Sequence, residues 1–174
     1  ALALERQQNY KGALAIYERI VDADPKASYA LARAGATRRR LGQDKTADYI
    51  DAALKLDKYD PTANNMKAAE HQLAGKWNQA IGFARKALIG DPANMNAYQH
   101  LARTYFQSGK HQMARLVCDQ ALEINPNNPA IQNLKGLVWL KLKEVRKAIR
   151  AFAGAVAADD GFVEGHLNLA STVL

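Results

Sequence analysis

Small residues recur along the chain with a period close to 34, and this period constrains the fold more than any other feature of the sequence. One series, at intervals of 34, 33, 34 and 34 residues, comprises Ala13, Ala47, Ala80, Ala114 and Ala148. A second series has the same period and comprises Ala1, Gly35, Ala69, Ala102, Gly136 and Ala170. Because a unit of this length cannot bury its apolar surface alone, the sequence predicts an array of stacked repeats.

The sequence pattern of each unit predicts a pair of amphipathic helices. Behind the alanine of the first series, core-type residues follow at steps of four and three, which keeps them on one helical face. They are Tyr17 and Ile20, Ala84 and Ala87, Cys118 and Ala121, and Phe152 and Ala155. Prolines such as Pro126 then end the helix, and Gly42, Gly75 and Gly109 precede the alanines, where a turn with positive φ is expected. Asn128 is the predicted N-cap of the helix that starts at Pro129.

The pattern predicts eleven helices. Their expected bounds are 1–7, 10–22, 28–40, 44–57, 61–73, 77–89, 95–107, 111–123, 129–141, 145–157 and 163–174. In the fourth helix, Asp51 falls where a bulky core residue belongs, and a slip of one residue would turn Ile50 and Ala53 inward instead. The unit that starts near Pro61 is expected to be one residue short, which leaves the register of its first helix open.

The 34-residue unit of two helices, a glycine turn, an alanine and a closing proline resembles the tetratricopeptide repeat family. The match is strongest over 95–128, at Tyr98, Leu101, Ala102, Tyr105, Gly109, Ala114, Ala121 and Pro126. The resemblance implies an all-α, right-handed α-solenoid in which the first helix of each pair lines a concave groove. The expected division is a partial repeat at 1–27, repeats at 28–60, 61–94, 95–128 and 129–162, and the first helix of another at 163–174.

No constellation in the sequence predicts catalysis, a cofactor or a metal. His71, His100, His111 and His166 lack metal-ligand spacing, and Cys118 lies in a core slot where a buried, inert thiol is expected. Trp77 and Trp139 are interpreted as packing residues. No apolar run reaches the ~18 residues that a membrane span requires.

The groove positions that packing does not need form the candidate binding site. The predicted groove residues are Tyr29, Arg33, Arg39, Arg40, Asn65, Gln72, Asn96, Gln99, Arg103, Phe106, Asn133, Leu137 and Lys141. This stripe carries four arginines and one lysine and no carboxylate, so it favours an acidic or mixed polar and apolar protein segment. The other interpretation of Arg38, Arg39 and Arg40 is a solvated helix end. Chaperone-docking members of the family bind their ligand through a clamp of lysines and asparagines. This sequence lacks the clamp, since the corresponding positions carry residues such as Ala32, Ala36 and Leu137.

Three functional hypotheses follow. The first is a non-catalytic scaffold that binds a protein or peptide partner in its groove. The second is nucleic-acid binding, suggested by 24 basic against 17 acidic residues, a net charge of +7 and a basic cluster between Lys141 and Arg150; the use of aromatics for packing makes it less favoured. The third is assembly through the chain ends, because Leu167, Leu169, Val173 and Leu174 have no following helix to cover them. The same observation predicts that the chain is a fragment or packs against another copy.

Overall fold

The computed structural model describes residues 1–173 and folds this part of the chain into eleven α-helices. They are α1 (Leu2–Arg6), α2 (Tyr10–Ala23), α3 (Ser28–Arg40), α4 (Thr46–Leu56), α5 (Pro61–Leu73), α6 (Trp77–Gly90), α7 (Met95–Gln107), α8 (His111–Ile124), α9 (Pro129–Lys141), α10 (Val145–Ala158) and α11 (Val163–Val173). Every predicted helix is present, with boundaries shifted by two residues at most.

The helices are arranged in two layers. Each helix packs on the next one along the chain, and the odd-numbered helices from α3 to α11 also contact each other in series. The odd-numbered helices therefore form one continuous row, and the even-numbered helices cover its outer side. The prediction of an all-α, right-handed α-solenoid is confirmed.

The helix starts and turns follow from a few polar and glycine residues. The side chains of Asp60, Asn94 and Asn128 accept hydrogen bonds from backbone N–H groups three residues later, at 2.8, 3.0 and 3.0 Å, and so cap α5, α7 and α9. The predicted N-cap at Asn128 is thereby confirmed. The turn glycines Gly42, Gly75 and Gly109 all have positive φ, as predicted. Gln8 and Lys143 take the same left-handed conformation in the two corresponding turns that lack a glycine, with φ 59° and 62°.

Four of the five alanines of the first series lie in the core. Ala13, Ala80, Ala114 and Ala148 are fully buried. Ala47, the remaining member of the series, is exposed. The proposed one-residue slip is correct, because Ile50 and Ala53 are buried and Asp51 faces solvent.

The second series shows which repeat unit is one residue shorter than the others. Gly35, Ala68 and Ala102 are the buried small residues, separated by 33 and 34 positions, whereas Ala69 is half-buried. The shortfall therefore lies before α5, and the prediction that the unit starting near Pro61 is short was wrong.

The one-residue deletion that shortens the preceding unit lies near the start of α4. The buried Ile50 follows the turn residue Gly42 by 8 positions, whereas its counterpart Ala84 follows Gly75 by 9. The deletion thus lies between Gly42 and Ile50, and it is the physical reason that the core register of α4 is shifted by one residue.

The predicted environments of apolar residues near the two chain ends hold only in part. Ile20 was predicted to face the core but is 41% exposed, and its neighbour Val21 packs on the core instead. In α11, Leu167 and Val173 are exposed as predicted, while Leu169 is half-buried. Leu174, the last member of the predicted apolar end, lies outside the described residues.

Candidate partner-binding groove

The odd-numbered helices form the concave surface and enclose two neighbouring pockets. The first pocket has a volume of about 510 Å³ and is formed by residues of α1, α3, α5 and α7 together with Asn94. The second pocket, of about 220 Å³, is formed by α7, α9 and α11. We call these the Arg39 pocket and the Arg103 pocket, after an arginine in the wall of each.

The structure brings ten of the thirteen predicted groove residues into the walls of these two pockets. The Arg39 pocket contains Arg33, Arg39, Arg40, Asn65 and Asn96. The Arg103 pocket contains Gln99, Arg103, Phe106, Asn133 and Leu137. The other three predicted residues lie outside both walls: Tyr29, Gln72 and Lys141.

An acidic side chain neutralises one of the predicted groove arginines. Oε2 of Glu5 on α1 lies 3.1 Å from Nη1 of Arg33, and Oε1 of Glu5 accepts a hydrogen bond from Thr37 at 3.2 Å. The predicted stripe contains no carboxylate, but the wall of the Arg39 pocket does. Glu5 lies 34 residues before Arg39, so extending the repeat by one unit could have identified it.

A second carboxylate is present at the other end of the groove. Glu164 on α11 lies in the wall of the Arg103 pocket. It occupies the position one repeat after Ala130 and two repeats after Asn96. The period itself therefore indicates that this residue faces the groove, although it is absent from the predicted set.

The three consecutive arginines at the end of α3 have three different environments. Arg38 turns away from the groove, pairs with Glu18 and lies over the ring of Tyr49 at 4.9 Å. Arg40 donates to the hydroxyl of Tyr10 at 3.1 Å and lies over its ring. Arg39 is exposed and reaches the Arg39 pocket. The run is therefore neither a uniform solvated helix end nor a uniform cationic patch.

The wall shared by α5 and α7 contains a histidine that is absent from the predicted groove residues. His100 lines the Arg39 pocket, and its Nδ1 lies 3.3 Å from Oε1 of Gln72. Burial, with Arg103 and Arg39 nearby, lowers the pKa of His100 below its ordinary value of 6.5. Since desolvation and neighbouring cations both disfavour the imidazolium form, His100 is neutral at pH 7.

The groove amides differ in how freely they can bind a ligand. Asn65 donates to the side chain of Asn94 at 2.9 Å. Asn133 is only 7% exposed and accepts a hydrogen bond from Asn168 at 2.8 Å. Asn96 is exposed at the mouth of the Arg39 pocket. Asn65 and Asn133 thus link neighbouring helices, whereas Asn96 faces the open groove.

The basic cluster around the α9–α10 turn encloses an aromatic side chain. Nζ of Lys147 lies 4.7 Å from the ring centroid of Trp139 and 3.3 Å from Oε1 of Glu144. Arg115 approaches the same ring at 5.7 Å. Trp139 is half-buried, and these cations occupy its surroundings, so it offers a base little surface on which to stack.

Other chemistry in the described part of the chain is limited. Within residues 1–173, no three histidine, cysteine, aspartate or glutamate side chains group closely enough to hold a metal ion. Cys118 is fully buried, and this burial raises the pKa of its thiol to about 12. The sequence prediction of a buried core thiol is confirmed. In the same residue range, each helix is too short or too polar to span a membrane.

Comparisons with known proteins identify relatives of this fold. Family models described as tetratricopeptide repeat match residues 1–61 and 71–138. Anaphase-promoting complex subunit 3 of Schizosaccharomyces pombe is 26% identical over 111 residues, which are 64% of this chain and 17% of that protein. The chain thus spans about a sixth of that relative.

Two solved structures share the architecture. A thermophilic tetratricopeptide protein of Thermus thermophilus superposes with a TM-score of 0.76 at 17% identity, covering 99% of this chain and 94% of the other. The first tetratricopeptide domain of Spaghetti (RPAP3), bound to the HSP90 peptide SRMEEVD, gives a TM-score of 0.62 at 20% identity, covering 67% and 93%. At these identities the likeness concerns the fold.

Proposed function

The chain belongs to the tetratricopeptide repeat family, and we propose that it is a non-catalytic scaffold that binds an extended, acidic segment of a partner protein in its concave groove. The family and fold support a role in protein–protein interaction. The place of binding and the chemistry of the segment are our inference from the groove residues.

Two exposed arginines without acidic partners carry this proposal. Within residues 1–173, neither Arg39 nor Arg103 has a carboxylate within ion-pair distance. Each lines one of the two pockets, and both are on odd-numbered helices. A guanidinium offers several donors in a fixed plane, so each arginine can bind a carboxylate through two hydrogen bonds.

The second pocket adds an apolar component to the proposed ligand. Phe106 and Leu137 lie beside Arg103 in its wall, with the amide of Gln99. Apolar surface next to a few polar groups suits a bulky apolar side chain of the partner segment. This side chain would lie near the acidic residues in the partner's sequence. The solved relative that holds an acidic HSP90 peptide illustrates that the fold accommodates such a ligand. Capture of a chaperone tail is not proposed, since the clamp positions differ.

Charge reversal in the groove tests the proposal. The variant Arg39→Glu/Arg103→Glu is compared with wild type in affinity capture from native extract, with analysis of both protein and nucleic acid. Arg19→Glu/Arg146→Glu is the matched control, because both residues are exposed on the even-numbered helices α2 and α10 and the change in charge is the same.

We expect a protein partner that wild type and the control retain and that the groove variant loses. Partners held equally by all three proteins would place the interface on the even-numbered helices or at the chain ends and contradict the proposal. Capture of nuclease-sensitive nucleic acid, with affinity falling steeply with salt, would favour the nucleic-acid hypothesis instead.

A further inference from the structure

We propose that Arg39, His100 and Arg103 form one anion-binding site, where the Arg39 pocket meets the Arg103 pocket, and that this site takes a carboxylate of the partner segment. This inference rests on the proposed function and specifies which part of the groove holds the acidic side chain. Arg39 and His100 line the same pocket, and Arg103 lies one helical turn after His100 on α7, on the same face.

A chain of hydrogen bonds fixes the orientation of His100. Nε2 of Gln72 donates to Oε1 of Gln107 at 2.8 Å, which directs Oε1 of Gln72 towards the imidazole. Oε1 of Gln72 then accepts from Nδ1 of His100, at 3.3 Å. With the amides in this orientation, the neutral ring carries its proton on Nδ1, and Nε2 is the nitrogen that can take up a further proton.

The charges around His100 make the site complementary to an anion. Arg39 faces it from α3 and Arg103 from α7, while Gln72 on α5 is uncharged. Arg33, Arg40 and Glu5 line the same pocket, and Glu5 is bonded to Arg33 and Thr37. The two exposed arginines thus supply positive charge that this pocket does not neutralise.

Occupation of the site by a carboxylate couples binding to a proton. In the free protein, burial and the two arginines hold the pKa of His100 below its ordinary value. A carboxylate between the arginines offsets their effect and favours imidazolium, so the pKa of His100 rises in the complex. The complex then binds more protons than the free protein, and affinity increases as the pH falls from neutral towards the pKa of free His100.

A capped hexapeptide of alternating glutamate and alanine is the probe, and its glutamine counterpart is the control. The pH titration of the four histidines is followed by NMR through their Cε1–H signals, with and without peptide. We expect only His100 to titrate at higher pH in the presence of the glutamate peptide. Affinity should be about five- to tenfold tighter at about pH 5.5 than at about pH 7.5.

Two variants separate the anion site from a structural role of the histidine. His100→Asn keeps a side-chain donor for Gln72 and should abolish the pH dependence, so that the peptide binds no more tightly at about pH 5.5 than at about pH 7.5. Arg39→Gln/Arg103→Gln should lose binding, whereas Arg19→Gln/Arg146→Gln should not.

Peptide contacts elsewhere in the groove, with an unchanged titration of His100, would overturn the anion site and leave the scaffold function standing. Failure of the peptide to bind would also overturn it. So would displacement of the peptide by a single-stranded oligonucleotide that binds more tightly at His100. The capture experiment, which uses no acidic probe, tests the scaffold function independently.

Discussion

Gly136 on α9 lies directly against the ring of Phe152 on α10, so that a Cβ atom at this position would be 2.4 Å from Cε1 of the ring. Phe152 is fully buried in the slot that Cys118 fills one repeat earlier. The absence of a side chain at position 136 therefore makes room for the large ring at position 152, and the two helices of this unit can approach closely.

Gly136→Ala should destabilise the protein because neither helix nor ring can move aside without loss of packing. Overpacking of this kind costs roughly 1–3 kcal/mol, which exceeds or offsets the ~1 kcal/mol gained in helix propensity. Gly82→Ala on α6 is the matched control: among the described residues no atom outside the local backbone lies within 4 Å of its added Cβ, so a gain of about 0.5–1 kcal/mol is expected. Thermal and urea unfolding measure the change in stability of both variants. Equal changes would contradict the close approach of Gly136 and Phe152.

Asp60→Asn should stabilise the protein at neutral pH. Asp60 is 3% exposed, and burial raises the pKa of its carboxyl, while the hydrogen bond from the backbone N–H of Ala63 acts in the opposite direction. Because the folded pKa lies above the unfolded value, the folded state favours protonation, and stability is lost as the pH rises through the folded pKa. Asparagine removes the buried charge and keeps the cap, as at Asn94 and Asn128.

Urea unfolding of this variant as a function of pH checks the sign. The stabilisation by Asp60→Asn should be largest near neutral pH and smallest in acid, where the wild-type carboxyl is protonated. Asp60→Ala serves as the control, since it loses the cap and should cost about 1 kcal/mol. A destabilised Asn variant at pH 7 would mean that the charge stabilises the start of α5.

The repeat period predicted the architecture because each unit must bury the same face against its neighbours. It did not fix the register of α4 and α5. Adjacent alanines, such as Ala68 and Ala69, make neighbouring registers equally acceptable to a pattern of small residues. In α5, the packing of Ala68 in one cluster with Ile81 and Ala84 decides between them, whereas in α4 the polar Asp51 already favours the register that turns Ile50 inward.

The groove positions were predictable for the same reason, but their chemical state was not. Projection along the repeat places Arg33, Arg39 and Arg103 on the odd-numbered helices. Whether an arginine is free depends on partners distant in sequence, such as Glu5 for Arg33 and Glu18 for Arg38. These pairs become visible only when the helices are stacked.

Cys118 should resist thiol reagents in the native protein. It is fully buried and its thiol pKa is raised to about 12, so almost no thiolate is accessible at about pH 8. Reaction with Ellman's reagent should be negligible in buffer and complete in guanidinium chloride. Ala47→Cys adds an exposed thiol at the start of α4 and should react at once. An unreactive second cysteine would show that the register described for α4 is wrong.

Glu5→Gln should strengthen the binding of an acidic ligand. The substitution keeps an oxygen that can accept from Thr37 but removes the charge that neutralises Arg33 in the wall of the Arg39 pocket. The freed guanidinium should tighten binding of the capped glutamate and alanine peptide roughly two- to fivefold, as expected for ~0.4–1 kcal/mol from a partly exposed pair. Glu123→Gln on α8, an exposed position outside the groove, makes the same change in net charge and is the control. Isothermal titration at low salt distinguishes the two: equal tightening by both variants would reflect net charge alone, and no change in either would mean that the ligand does not sense Arg33.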